Sequence, residues 1–115
     1  MKSNIVKDKS FEFSLKIILL FKTMQDQKEY IISKQILRCG TSIGANIAES
    51  EAAQSRSDFV QKLSIASKEA RETIYWLQLL DKSELVDVEV NTRIDDCNEI
   101  IRLLTSIIKT IKSKL

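Results

Sequence analysis

The chain contains no proline and no histidine, and only two glycines and two cysteines among its 115 residues. Without proline it has no ring to lock a turn or break a helix, and two glycines offer few tight β-turns. Both absences favour long, uninterrupted helices. The lack of histidine removes the Glu-x-x-His pairs of carboxylate-bridged metal bundles and any Ser-His or Cys-His nucleophile pair. Two cysteines without histidine cannot make an ordinary structural zinc site, and Cys39 and Cys97 are too far apart for a CxxC pair. They fit small buried apolar residues in a reducing cytosol. No enzyme, metal or cofactor is therefore expected. A long apolar run is missing too, since Ile17 to Phe21 is short and flanked by Lys16 and Lys22. Asp8 and Glu12 precede it and no small-residue cleavage site follows, so no targeting segment or membrane contact is expected, and the predicted location is cytoplasmic.

What is present is 43% hydrophobic and 30% charged residues with a formal charge of +2. That balance belongs to a folded all-α chain, here one domain over 1–115. The mild positive charge permits a nucleic-acid partner without demanding one.

Periodicity predicts four helices. Helix 1 is expected from a cap near Ser10 to about Gln25, with Phe11, Leu15, Ile18 and Phe21 at helical spacing and Ile17, Leu19 and Leu20 widening that arc. A polar link, Asp26 to Glu29, leads to helix 2, from Tyr30 or Ser33 to Ala53, with Ile36, Ile43 and Ile47 on its core side. Ser57 or Asp58 is the expected cap of helix 3, with Asp58 and Gln61 at capping-box spacing. That helix carries Phe59, Leu63, Ala66, Ala70, Ile74 and Leu77 to about Asp81. After a loose stretch, Lys82 to Val86, Asp87 is the expected cap of helix 4, which lasts to about Lys112. Val90, Ile94, Cys97, Ile101, Leu104, Ile108, Ile111 and Leu115 form one apolar row on helix 4, and Ile100, Leu103 and Ile107 a second. Together they cover roughly half the circumference, more than the stripe of about 100° that a surface helix needs. Short links predict an antiparallel up-down-up-down four-helix bundle. Surplus apolar surface on helices 1 and 4 predicts a homo-oligomer closed into a ring or dimer.

Both glycines lie in helix 2, where Gly40, Gly44 and Ala48 recur every four residues on one side. A helical glycine costs roughly 0.5–1 kcal/mol relative to alanine, so the spacing points to a close helix approach that offsets it. Beside this stripe Gln35, Arg38, Ser42, Asn46 and Glu49 share another, and Asp58, Lys62, Glu69 and Trp76 line up on helix 3. These polar stripes suit either solvated faces or networks that fix register and interfaces, with Trp76 a candidate anchor. Glu49, Glu69 and Glu72 are carboxylates placed to approach one another across helices 2 and 3, and a structural role fits them better than acid-base work. Asp58 and Lys62 make a favourable i,i+4 pair. Lys109, Lys112 and Lys114 end helix 4 while Asp95, Asp96 and Glu99 lie near its start, as the helix dipole prefers. Lys34 with Arg38, and Lys68 with Arg71, form basic clusters that, repeated around an oligomer, could hold phosphates. No aromatic residue is expected to interleave with them to stack bases, which disfavours sequence-specific RNA recognition.

The stretch KQILRCGTSIGANIAESEAAQSRSDFVQKLSIASKEARETIYWLQLL, from Lys34 to Leu80, resembles the four-helix-bundle family encoded in 23S rRNA intervening sequences. Gln35, Arg38, Gly40, Ser42, Gly44, Asn46 and Glu49 carry the likeness, continued by Phe59, Lys62, Leu63, Ala66, Glu69, Ala70, Glu72, Tyr75, Trp76 and Leu77. Cys39 departs from the small polar residue expected there. The opening KSFEFSLKIILL and the last helix are similar to the family as well. The resemblance implies a homopentameric ring and supplies no established activity. It extends in fold to accessory proteins of diversity-generating retroelements, which partner a reverse transcriptase and contact nucleic acid through surfaces more basic than this chain's. The resulting expectation is a non-enzymatic oligomeric scaffold or adaptor that contacts RNA or DNA through Lys34, Arg38, Lys68 and Arg71. Its structural or interface residues are Gly40, Gly44, Ala48, Asn46, Glu49, Trp76, Ile100, Leu103 and Ile107. The alternative is a pure protein-protein adaptor, for example of a polymerase or reverse transcriptase.

Overall fold

The structure, a computed structural model, describes residues 2–114. Helices α1 (Lys2–Asp26), α2 (Ile32–Ser50), α3 (Arg56–Ser83) and α4 (Asn91–Lys112) form a bundle whose Cα atoms extend over 48 × 21 × 20 Å. No strand occurs among the described residues. Helices α1 and α3 each pack on both α2 and α4, whereas α1 with α3, and α2 with α4, lie diagonally opposite without close backbone contact.

Helix α1 begins well before the cap expected near Ser10. Its first turns look polar, yet Val6 is buried, Lys7 pairs with Glu51 at 2.9 Å and Lys9 with Glu99 at 2.6 Å. Ser10 is an interior, buried residue whose hydroxyl donates to the Lys7 carbonyl. At the other end Glu29 N–H donates to the Met24 carbonyl and Lys28 N–H to that of Gln25, the paired bonds of a Schellman ending. Lys28 takes the left-handed conformation there, with φ 65°, and Glu84 does the same after α3, with φ 56°. Both glycines being committed to α2, these turns use residues less suited to them.

The start of α2 is set by Glu29. Its carboxylate accepts from the N–H groups of Ile31, Ile32 and Ser33 at 2.7–3.0 Å, satisfying donors that a helix start leaves unpaired. The Ser33 hydroxyl returns a bond to the Glu29 carbonyl. Helix α3 is capped by Ser55 rather than by Ser57 or Asp58, because the Ser55 hydroxyl accepts from Asp58 N–H and the Asp58 carboxylate from Gln54 N–H. Helix α4 starts at Asn91, where Glu89 accepts from Thr92 N–H. Asp87, the expected cap, is held through its backbone by both ends of the Gln27 amide, at 2.7 and 3.0 Å.

The core joins Val6, Phe13, Ile17 and Met24 of α1 to Ile36, Ile43 and Ile47 of α2, Leu63, Leu77 and Leu80 of α3, and Cys97, Ile100, Leu104 and Ile107 of α4. Both apolar rows of α4 are buried or half-buried, since α1 and α3 cover its two flanks, so the surplus expected on α4 is absorbed within the chain. Leu115 lies outside the described residues. On α1 the outcome is reversed: Phe11, Leu15, Ile18 and Leu19 are 66%, 50%, 47% and 64% exposed. The glycines explain this orientation. A Cβ at Gly40 would sit 3.0 Å from two carbons of Ile17, and one at Gly44 would sit 3.2 Å from the Ser10 carbonyl oxygen and Ser14 Oγ. Close approach therefore presents Ser10, Ser14 and Ile17 to α2 and turns Phe11, Leu15 and Ile18 outward.

Candidate functional site

Two surfaces stand out. The first lies where α2 meets α3. Lys34, Arg38, Lys68 and Arg71 are all exposed, but Arg38 is engaged. Its guanidinium hydrogen-bonds Glu72, approaches Glu69 Oε2 at 3.6 Å and donates to Gln35 Oε1 from Nε and Nη2 at 3.3 and 3.1 Å. Glu72 also accepts from the Trp76 indole at 3.0 Å, and the Trp76 ring meets that of Tyr75 edge-on at 5.4 Å. A chain Gln35–Arg38–Glu72–Trp76–Tyr75 thus crosses from α2 to the outer side of α3.

The indole hydrogen bond, the Arg38 guanidinium and the nearby Lys68 charge hold the Glu72 carboxyl below the usual carboxylate range. Burial works against the Arg38 charge, but the hydrogen bond and charge of Glu72 outweigh it and raise its pKa. Such an arrangement keeps both groups ionised and fixes helix register. The third carboxylate, Glu49, turns away to meet Lys62 at 3.3 Å, which takes Lys62 from its expected partner Asp58. Asn46 donates to the carbonyl and hydroxyl of Ser42, completing a polar stripe half-buried along α2. Among the described residues no cluster of three or more His, Cys, Asp or Glu could hold a metal ion. No helix of the described residues is long and apolar enough to cross a membrane.

Cys39 and Cys97 are buried free thiols, both pushed up in pKa by desolvation. They sit on the diagonal helices α2 and α4, between which no Cα atoms come within 8 Å, beyond the reach of a disulfide.

The second surface is the outer face of α1. It carries the exposed row Phe11, Leu15, Ile18 and Leu19, and Phe11 borders an open, largely apolar groove between α1 and Gly44, Ala45 and Ala48 of α2. Gly40 and Gly44 hold α1 close, as their spacing predicts, while Ala48 stays exposed as part of this groove. Ile100, Leu103 and Ile107, expected as structural or interface residues, are buried or half-buried in the core.

Residues 2–106 match the family described as 23S rRNA-intervening sequence protein. The chain belongs to that family. A crystal structure of a protein of unknown function from the S23 ribosomal protein family of Bacteroides thetaiotaomicron is 57% identical, with a TM-score of 0.91 over 95% of this chain and 99% of that one. No curated protein matches the chain. The family thus fixes the architecture and assigns no activity.

Two contributors were missed in the sequence. Glu29 falls in a polar link of the sequence, although its spacing to Ser33 is that of a carboxylate folding back on a helix start. Tyr75 follows Arg71 by four residues and Lys68 by seven, which places an aromatic ring among those cations after all.

Proposed function

We propose that this 23S rRNA-intervening sequence family member is a non-enzymatic scaffold whose copies assemble through the outer face of α1. The carrying observation is the row Phe11, Leu15, Ile18 and Leu19, which stays 47–66% exposed while every large apolar residue described on α4 is at least partly covered. Leaving such a row in water costs roughly 25 cal/mol per Å² that a partner surface would recover. The protomer is an antiparallel up-down-up-down bundle: contacts Lys7–Glu51, Ile17–Gly40 and Gln25–Ser33 pair rising numbers on α1 with falling numbers on α2. Arg38–Glu72 and Glu49–Lys62 do the same for α2 and α3. The family resemblance supports a closed ring of five, and two buried free thiols suit a reducing cytoplasm.

Sedimentation velocity tests the assembly. The wild type should run at a multiple of the 13.2 kDa protomer, and Phe11→Ser with Leu15→Ser should shift it to the protomer while keeping its helical circular dichroism. A wild type that stays protomeric at high concentration would overturn the proposal.

In this reading the assembled ring displays Lys34, Lys68 and Arg71 repeatedly and holds RNA or another nucleic acid through phosphate contacts. Arg38 contributes less than its sequence position suggests, because Glu69 and Glu72 already neutralise it. A salt titration of RNA binding tests this part, and no binding at low ionic strength would leave a pure protein adaptor.

A further inference from the structure

We infer that the outer face of α3 binds single-stranded nucleic acid, with a base stacked on Tyr75 and the flanking phosphates held by Lys68 and Arg71. The inference rests on the nucleic-acid reading above and deepens it to a strand type and a stacking residue. From Gln61 to Leu79 the exposed positions of α3 include Lys68, Arg71 and Tyr75 and not one carboxylate. Glu69 and Glu72, the acidic residues of the same stretch, are turned toward Arg38 of α2 and are only partly exposed. The ion network thereby sorts charge, drawing the negative groups into the α2–α3 contact and leaving the outer face cationic. Neither Lys68 nor Arg71 has an ion-pair partner among the described residues.

Tyr75 lies between these cations in helical projection and is 56% exposed. Trp76 braces it edge-on, and Trp76 is itself fixed by its bond to Glu72, so the ring is presented from an ordered support. An exposed ring with two cations one and two turns before it on the same face, and no exposed carboxylate between, suits a strand that stacks one base and lays the adjoining phosphates along the helix. In a duplex the base faces are stacked away and offer such a ring nothing, so the complementarity selects an unpaired strand.

The test measures fluorescence anisotropy of a labelled RNA of about 15 nucleotides, alone or as a duplex, with the intact protein. Binding should favour the single strand. Tyr75→Leu should weaken it roughly 5- to 150-fold, the range that losing one base–aromatic stack spans. Arg71→Gln should flatten the logarithmic salt dependence by about 0.7, while Lys112→Gln, remote from this face, should leave the affinity unchanged. Equal affinity for strand and duplex, insensitive to Tyr75→Leu, would overturn the inference and leave the general phosphate-binding reading standing. Absence of binding to either RNA at low salt would overturn both. Displacement of the strand by polyglutamate at equal charge concentration would reduce the face to plain charge attraction and overturn the stacking role.

Discussion

Replacing Glu29 by glutamine isolates the device that starts α2. In the wild type, one carboxylate oxygen accepts from Ile31 and Ile32 N–H at 3.0 Å each and the other from Ser33 N–H at 2.7 Å. A glutamine offers one acceptor oxygen, so at least one N–H loses its partner and the amide NH2 is forced toward a donor. Loss of a helix cap costs roughly 0.5–2 kcal/mol, and loss of the negative charge at a helix start a further 0.3–1 kcal/mol or so. The sum, roughly 1–3 kcal/mol, corresponds to a fall in Tm of about 4–12 °C for a chain of this size. Burial alone would raise the Glu29 pKa, but the N–H groups of Ile32, Ser33 and Ile31 outweigh it and hold the carboxyl below its ordinary 4.5. A folded-state pKa depressed in this way stabilises the fold above the unfolded value, and that stability disappears as pH falls through the folded value. Thermal melts of wild type and Glu29→Gln at one protein concentration should therefore differ most near pH 7 and converge as the pH is lowered below 4.5. A constant difference across that range would refute the charged cap as the cause.

The remaining predictions concern other joints of the bundle. Gly44→Val should destabilise by roughly 1–3 kcal/mol in chemical denaturation, because the Ser10 carbonyl leaves no room for the branched side chain. Lys28→Gly and Glu84→Gly should each raise stability by up to about 1 kcal/mol, since both positions hold a left-handed backbone that glycine adopts without strain. Trp76 is the only tryptophan, so its fluorescence should change when Glu72→Gln removes its carboxylate partner, and in the wild type only on acidification below the ordinary glutamate range. Cys39 and Cys97 should resist thiol reagents in the folded protein and react on unfolding, and oxidant should not link them.

Much of the fold was legible because periodicity is a local signal. Ile36, Ile43 and Ile47 could only be the core side of α2, and the links fell where polar runs interrupt the pattern. Orientation of α1 was harder to read, because its apolar residues surround much of the helix and two arcs compete for the core. Choosing between them requires the partner: Ser10 and Ser14 are small enough to face Gly44, whereas Phe11 and Leu15 are not. The early start of α1 was hidden for a similar reason, since Lys7 and Lys9 find Glu51 and Glu99 on other helices, far away in sequence. At the charged face, residue types revealed the cations but not which were neutralised. Only the contact across α2 and α3 separates Arg38, paired with two carboxylates, from Lys68 and Arg71, which are not.

The close approach of α1 to α2 and the apolar display on α1 are one geometric fact. At about 100° per residue, seating Ser10, Ser14 and Ile17 against the glycines leaves Phe11, Leu15 and Ile18 one step round, on the exposed flank of the helix. Rotating α1 to bury the second row would bring the Phe11 ring, in place of Ser10 and Ser14, against a contact where even an added Cβ sits 3.0–3.2 Å from its neighbours. The exposed row is thus a consequence of the best packing open to one copy. Assembly and internal packing should then fail together: Gly44→Val, which leaves the Phe11, Leu15 and Ile18 side chains unaltered, should weaken self-association as well as stability. Retention of the wild-type sedimentation coefficient at low protein concentration by a folded but destabilised Gly44→Val protein would show that the two faces of α1 act independently.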